Sequence, residues 1–408
     1  VQKPANILLI LLGVMLGMAE RPAAAQDIRE FPIPSFGCDP ESIVLGPDGA
    51  FWFTEYWTGA IGRITLTGTV TEYYTPTGTS HPVSIVVGPD TNLWFTESTV
   101  GKIGRITTNG TITEFPCPAN TVPVGIALGP DSRLWVTDAG PNFVAGMATN
   151  GGIMAFTVGG SGLSATNYYN TGITVHNRPG NITAGPDGNL WFTERLVAKI
   201  GLITTAGVIT EFPLPGPTSQ PYDIVTGPDG ALWFTEFNSN KLGRITTAGA
   251  LTEYSLPTNS ASANQPWGIT VGSDSNLWYS DISAGWIGRF TLTNVTTFAT
   301  PSLSSRPRRL AAGPDGSIWF GEFIAESISG QDFIGRYWIP PLTVTTASGS
   351  RVILTWPTTA GPTFHLQSNT NLAGTNWVNV LGSPATIGSN FVVTNSATNS
   401  QLFFRISQ

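Results

Sequence analysis

The sequence predicts an all-β chain whose larger part closes into a ring of seven similar sheets, and three observations predict it. A phrase of the form GPDG-LWFTE occurs seven times, beginning at Gly46, Gly88, Gly129, Gly185, Gly227, Gly272 and Gly313. Successive copies lie 42, 41, 56, 42, 45 and 41 residues apart, and each carries four strand-like runs between turn residues. A period of roughly 40–45 residues with four strands per unit is the signature of a β-propeller blade. The composition agrees: 47 glycines, 31 prolines and only 11% charged residues in 408 suit short strands and tight turns rather than helices.

The first element is not part of that ring. Residues 1–25 read as an export signal: Lys3 gives a thin positive start, Ile7 to Met18 is an apolar run, and Ala23-Ala24-Ala25 fits a small-residue cleavage site. The apolar run is shorter than the roughly 20 residues of a membrane-spanning helix. No later segment reads as a membrane span. The expected location is therefore secreted or periplasmic. Without residues 1–25, which hold Lys3, Arg21 and Glu20, the formal charge moves from −7 to −8. So acidic a chain lacks the basic surface that nucleic acid requires. A monomer is expected.

The second element, IREFPIP from Ile28 to Pro34, matches ITEFPLP from Ile209 to Pro215. The seventh repeat lacks that segment, because FIGRYW (Phe333 to Trp338) is followed by IPPLTV. The N-terminal strand is therefore expected to complete blade seven and close the ring, pairing an otherwise open sheet edge.

Within a repeat, blade five serves as the example. PYDIVTG (Pro221 to Gly227) reads as strand A and PDG as a tight turn. ALWFTE (Ala231 to Glu236) reads as strand B, with alternate residues on opposite faces. KLGRIT (Lys241 to Thr246) and ALTEYSL (Ala250 to Leu256) read as strands C and D. Both faces of a blade meet neighbouring blades, so the repeated Trp and Phe are expected to be packing residues. The interval of 56 is read as an insertion between strand D of blade three and strand A of blade four, including Gly159 to Asn177.

The propeller is expected over residues 26–340 and a separate β module over 341–408, whose short alternating runs suggest a small sandwich. Surface attachment, export sorting and ligand binding all remain open for that module. Cys38 and Cys117 lie in different repeats; export would permit a disulfide, and their separation would decide it.

Strand order decides which face can work. Strand A starts on the face where strand B ends, here called the upper face, and the GPDG turns lie on the opposite one. The residue after the Pro of each P-x-x-I lines the channel mouth: Glu41, Val83, Val124, Gly180, Tyr222, Trp267 and Arg308. These positions diverge where the rest of the repeat does not. Glu41, Tyr222, Trp267 and Arg308, with Arg306 and Arg309 beside the last, form a candidate ligand-binding rim. It suits a small-molecule or glycan-like ligand with an anionic or aromatic group. A structural ion pair between Glu41 and the arginines is the competing reading. The last residue of each strand B is acidic: Glu55, Glu97, Asp138, Glu194, Glu236, Asp281 and Glu322. An acid in every blade points to a shared structural task more than to a metal centre.

Catalytic motifs are sparse. The three histidines are His81, His176 and His365, and neither G-x-S-x-G nor H-E-x-x-H occurs. His81, His176 and Tyr222 are the candidate bases on the upper face.

The repeat GPDG-LWFTE…KIGRIT-G-ITEFPLP, over about residues 27–338, resembles the streptogramin B lyases, also called virginiamycin B lyases. The resemblance implies a seven-bladed propeller that opens a cyclic depsipeptide by elimination, a carbon–oxygen lyase assisted by Mg2+. It implies histidines after the Pro of P-H-[AG]-I in the last two blades and two metal-binding glutamates. Here the matching segments read QPWGI (Gln265 to Ile269) and RPRRL (Arg306 to Leu310). Trp267 and Arg308 stand at the histidine positions, Arg306 at one glutamate position, and Glu322 matches the other. A guanidinium is no base near neutral pH. Two readings follow: a secreted ligand-binding or scaffold propeller, or a lyase with a relocated base and a metal on Glu322.

Overall fold

A computed structural model describes residues 28–140, 152–159, 162–170, 179–258, 264–292, 294–325 and 330–338, together with the backbone of seven further strands between 343 and 407. The export-signal segment lies outside the described residues. Every described element is a strand, and among the described residues no helix is long and apolar enough to cross a membrane.

Seven four-stranded antiparallel sheets form the propeller. Blade one is β2 (Pro40–Leu45), β3 (Phe51–Glu55), β4 (Ala60–Ile64) and β5 (Val70–Tyr74). Blade five is β18 (Pro221–Thr226), β19 (Leu232–Glu236), β20 (Lys241–Ile245) and β21 (Leu251–Ser255), within about a residue of the sequence reading. Blade seven takes β26 (Ser305–Ala312), β27 (Ile318–Ile324) and β28 (Gln331–Tyr337) from the C-terminal side and β1 (Ile28–Phe36) from the N-terminal side. β1 pairs antiparallel with β28, Ile28 opposite Tyr337 and Phe31 opposite Ile334. The ring closes as the truncated seventh repeat requires.

Blade three corrects the sequence reading. Its strand C is β12 (Gly152–Gly159) and its strand D is β13 (Gly162–Asn170), so much of the stretch read as an insertion is a strand. The extra length falls in the B–C connection after Asp138 and in residues 171–178. Packing selects this register. Tyr169 of β13 stacks on Trp135 with centroids 5.7 Å apart, as Phe115 stacks on Trp94 one blade earlier at 5.5 Å.

The repeated words build the inter-blade core. Six of the seven strand-B tryptophans are essentially inaccessible, Trp278 nearly so. In the six blades other than blade three, a strand-C glycine lets a strand-B ring cross the sheet: a Cβ on Gly104 would lie 2.0 Å from Phe95. The turn aspartate does more than turn the chain. Asp48 accepts from Trp52 Nε1 at 3.0 Å and pairs with Arg63 at 2.7 Å, and Asp90 and Asp229 repeat this with Trp94–Arg105 and Trp233–Arg244.

Beyond the propeller, β29 (Thr343–Ala347), β30 (Arg351–Pro357), β34 (Asn390–Ser396) and β33 (Ala385–Ile387) form a four-stranded sheet in that order, and β32 (Val378–Asn379), β31 (His365–Asn369) and β35 (Phe403–Ser407) a three-stranded one. The boundary proposed near residue 340 falls between β28 and β29.

Candidate functional site

Each P-x-x-I segment carries a register shift between its Pro and its Ile, as between Pro40 and Ile43 or Pro221 and Ile224. A bulge bends a strand and re-aims side chains. The two residues between Pro and Ile therefore leave the regular ladder at the channel mouth in every blade. The hydroxyl of strand B holds them in place. Thr235 Oγ1 accepts from Asp223 N at 3.1 Å and donates to the Trp267 carbonyl of the next blade at 2.8 Å. Thr54, Thr96, Thr137 and Thr193 bond to Val83, Val124, Gly180 and Tyr222 in the same way.

The seam between blades seven and one is built differently. Gly321 stands where the threonine would be, because a Cβ there would meet the Pro40 carbonyl at 2.2 Å. Charge replaces the hydroxyl. Asp332 accepts from Asp39 N and Ile324 N, both at 2.9 Å. Arg308 Nη2 lies 2.7 and 3.0 Å from the two oxygens of Asp39, and Nη1 lies 3.7 Å from Glu41. Arg308 and Asp39 are 7% and 6% exposed, so this ion pair is an interior one. Burial and then Glu41 raise the Asp39 carboxyl, and Arg308 opposes them.

Four rim residues come together. Tyr222 and Trp267 pack with centroids 3.8 Å apart. The Arg308 guanidinium lies 4.8 Å from the Trp267 ring and 5.4 Å from Phe323. Arg195, at the start of the B–C loop of blade four, lies 4.3 Å from the Tyr222 ring. The result is an arc of alternating cation and ring, Arg195–Tyr222–Trp267–Arg308, that ends on Asp39 and Glu41. Cation–π contact of this kind is worth about 0.5–2 kcal/mol per pair. Burial, with Glu41, pushes the Tyr222 phenol far above its usual range, which opposes its use as a base.

The other candidates are placed elsewhere. Arg306 is exposed at the edge, its backbone opposite Phe323. Arg309 turns into the channel, where Nη1 donates to Ser84 Oγ at 3.0 Å and Nε lies 3.7 Å from Asp223. Asp223 also accepts from Ile269 N at 3.0 Å and from Asn181. A polar plug thus fills the channel beneath the rim. His81 stacks on Tyr56 at 4.6 Å and meets Trp57 edge-on at 5.2 Å, with Nδ1 2.6 Å from Thr99 Oγ1. His176 lies outside the described residues.

The ring of strand-B acids is buried, each residue at most 2% exposed. Asp281 accepts from the Gln265, Ser283 and Ala284 amides, and Asp138 from Val122 and Gly140, so these two hold loop amides, whereas both carboxylate oxygens of Glu97 and of Glu236 have no hydrogen-bond partner among the described residues. Glu322 accepts from Ser305 Oγ at 2.8 Å; burial and Glu30 raise its pKa well above the ordinary value, favouring the neutral acid. The Arg308 guanidinium on the strand paired with that of Glu322 places a fixed positive charge beside this position, which disfavours a divalent cation. Among the described residues no three His, Cys, Asp or Glu side chains are grouped to hold a metal. Cys38 and Cys117 are both free thiols.

Sequence reasoning did not find Asp39, Asn181, Asp223 or Arg195. The first three had a signal. The residue before the Pro and the second residue after it vary between blades as much as the first: Asp39, His81 and Gln220 before, Ser84, Asn181, Asp223 and Arg309 after. Arg195 follows strand B, outside that motif.

A sequence profile of the virginiamycin B lyase family matches residues 20–163 and 164–343. A solved streptogramin B lyase is 32% identical, with 76% of this chain and 96% of that one covered and a TM-score of 0.66. A catalytically inactive histidine-to-alanine variant of virginiamycin B lyase from Staphylococcus aureus, solved with quinupristin, is 34% identical, with 76% and 99% covered and a TM-score of 0.66. The extracellular domain of a hybrid two-component system from B. thetaiotaomicron shares the fold at 14% identity and a TM-score of 0.54, over 93% of this chain and 56% of that one. No curated protein sequence matches the chain.

Proposed function

The chain belongs to the virginiamycin B lyase family, and within that family we propose that it is a secreted ligand-binding propeller rather than an eliminase. One observation carries the proposal. Trp267 and Arg308, at the positions where the family resemblance implies histidines, are locked against each other and against Asp39. Elimination needs a group that can take a proton beside a carbonyl and one that stabilises the resulting charge. Neither an indole nor an ion-paired guanidinium takes that proton. The contacts of Arg309 with Ser84 and Asp223 place a polar floor beneath the rim, which supports binding at the mouth.

Incubation of the exported chain with quinupristin and Mg2+, followed by mass spectrometry, tests the catalytic half of this reading. The expected result is no ring opening. Turnover lost in His81→Ala would establish a relocated base and refute it. A thermal-shift panel of uronates, sulfated sugars, dicarboxylates and neutral sugars tests the binding half. At least one compound is expected to raise the melting temperature, and less so in Trp267→Ala. A panel without any shift would refute a small-molecule site at the mouth.

A further inference from the structure

The upper mouth holds three arginines in its arc and channel, and two of them are neutralised. Arg308 is paired with Asp39 and Glu41, and Arg309 faces Asp223. Among the described residues Arg195 has no such partner: it makes no ion pair and no hydrogen bond with them, and its contact of this kind is the Tyr222 ring at 4.3 Å. Its Nε is buried without an acceptor. The rest of the chain has little to offer it. Residues 141–151, 160–161, 171–178 and 259–263 contain neither Asp nor Glu, and residues 341–408 contain none either. The remaining acids outside the described residues are Glu20, Asp27 and Glu326.

An arginine held over an aromatic ring keeps its planar fork of donors and loses less freedom when it binds. Arg195 is half-buried, and its two Nη groups, unlike Nε, are neither enclosed nor hydrogen-bonded to a described residue, so they are the donors a ligand acceptor can satisfy. Guanidinium forks match oxyanions with two coplanar oxygens. We infer that Arg195, seated on Tyr222, anchors an oxyanion subsite at the upper mouth, taking the carboxylate or sulfate group of a small ligand. This rests on the reading of the mouth as a binding site and adds the chemistry that the ligand must present. Carboxylate and sulfate offer the same oxygens to the fork, so the probes must separate them.

The test is isothermal titration of the exported chain at constant ionic strength with galacturonate, galactose 6-sulfate and galactose. At least one anionic sugar is expected to bind ten-fold or more tightly than galactose. Arg195→Gln should erase that preference and Arg195→Lys should retain part of it. The tighter of the two anionic sugars identifies the oxyanion. Galactose binding as tightly as both anionic sugars, or an unchanged preference in Arg195→Gln, overturns the assignment while the mouth remains a binding site. If none of the three binds, the assignment falls as well, and the shift panel with other ligand classes decides the fate of the mouth.

Discussion

Glu55→Gln should make this propeller more tolerant of alkaline pH. In blades two, four and five the strand-D glutamate is neutralised by a lysine opening strand C: Lys102–Glu114, Lys199–Glu211 and Lys241–Glu253, at 2.5–2.6 Å. Blade one has Ala60 there, so Glu55 and Glu72 share a buried site with no such cation. Burial first, and then Glu72, raises Glu55 to about 8, whereas burial raises Glu97 and Glu236 to about 7. In the unfolded chain a glutamate titrates near 4.3. The folded state therefore keeps a proton that the unfolded state releases. Stability is full below the unfolded value, falls as pH rises through the window from about 4.3 to about 8, and levels off above it. One such group contributes a slope of up to about 1.4 kcal/mol per pH unit inside the window. Relaxation and water entry reduce the ideal total, so about 2–4 kcal/mol is expected across it. Glutamine is nearly isosteric with the protonated acid and can still receive the Thr58 hydroxyl, which lies 2.8 Å from Glu55 Oε2. Urea unfolding from pH 5 to pH 9 should show the variant within about 1 kcal/mol of the parent at pH 5 and more stable by about 2–4 kcal/mol at pH 9. Parallel profiles would refute the argument, because they would mean that Glu55 is ionised in the folded state throughout.

Other perturbations read other parts of the structure. Asp332→Ala would leave the Asp39 and Ile324 amides without acceptors at the seam; a loss of about 2–5 kcal/mol is expected in denaturant melts, and a loss under 1 kcal/mol would show that the seam does not depend on this carboxylate. Gly104→Ala drives a methyl into the Phe95 ring, and a fall in stability of at least about 3 kcal/mol, or failure to fold, should appear in thermal melts. Thr235→Val removes both the acceptor for Asp223 N and the donor to the Trp267 carbonyl; about 1–3 kcal/mol of stability should go with them, accompanied by a change in tryptophan emission. Thiol titration should count two free cysteines in denaturant, with inaccessible Cys38 reacting slowly when folded and part-exposed Cys117 faster.

The repeat made most of the fold legible. GPDG-LWFTE names its turn and its buried strand at once, and a missing ITEFPLP at one end with IREFPIP at the other places the closing strand. These are local patterns, periods of two within strands and about 42 between blades, and they survive without knowledge of any distant contact. Blade three shows the limit: part of the stretch read as an insertion is its last strand, packed there by the Trp135–Tyr169 stack.

The rim was legible as a set of variable positions, but not as a circuit. That Arg308 meets Asp39 depends on residues 269 apart in the chain, and the Asp39–Asp332 bond on residues 293 apart. Nothing in a repeat announces such pairings, because they arise only when the ring closes and brings its two ends into one seam. The sequence by itself therefore determined the seven blades, their order and which letters are free to vary. Only the tertiary structure decided which charges cancel, that Arg309 drops into the channel, and that Arg195 is left over. The strength of an electrostatic contact depends on distance and burial, and neither is encoded by position along the chain.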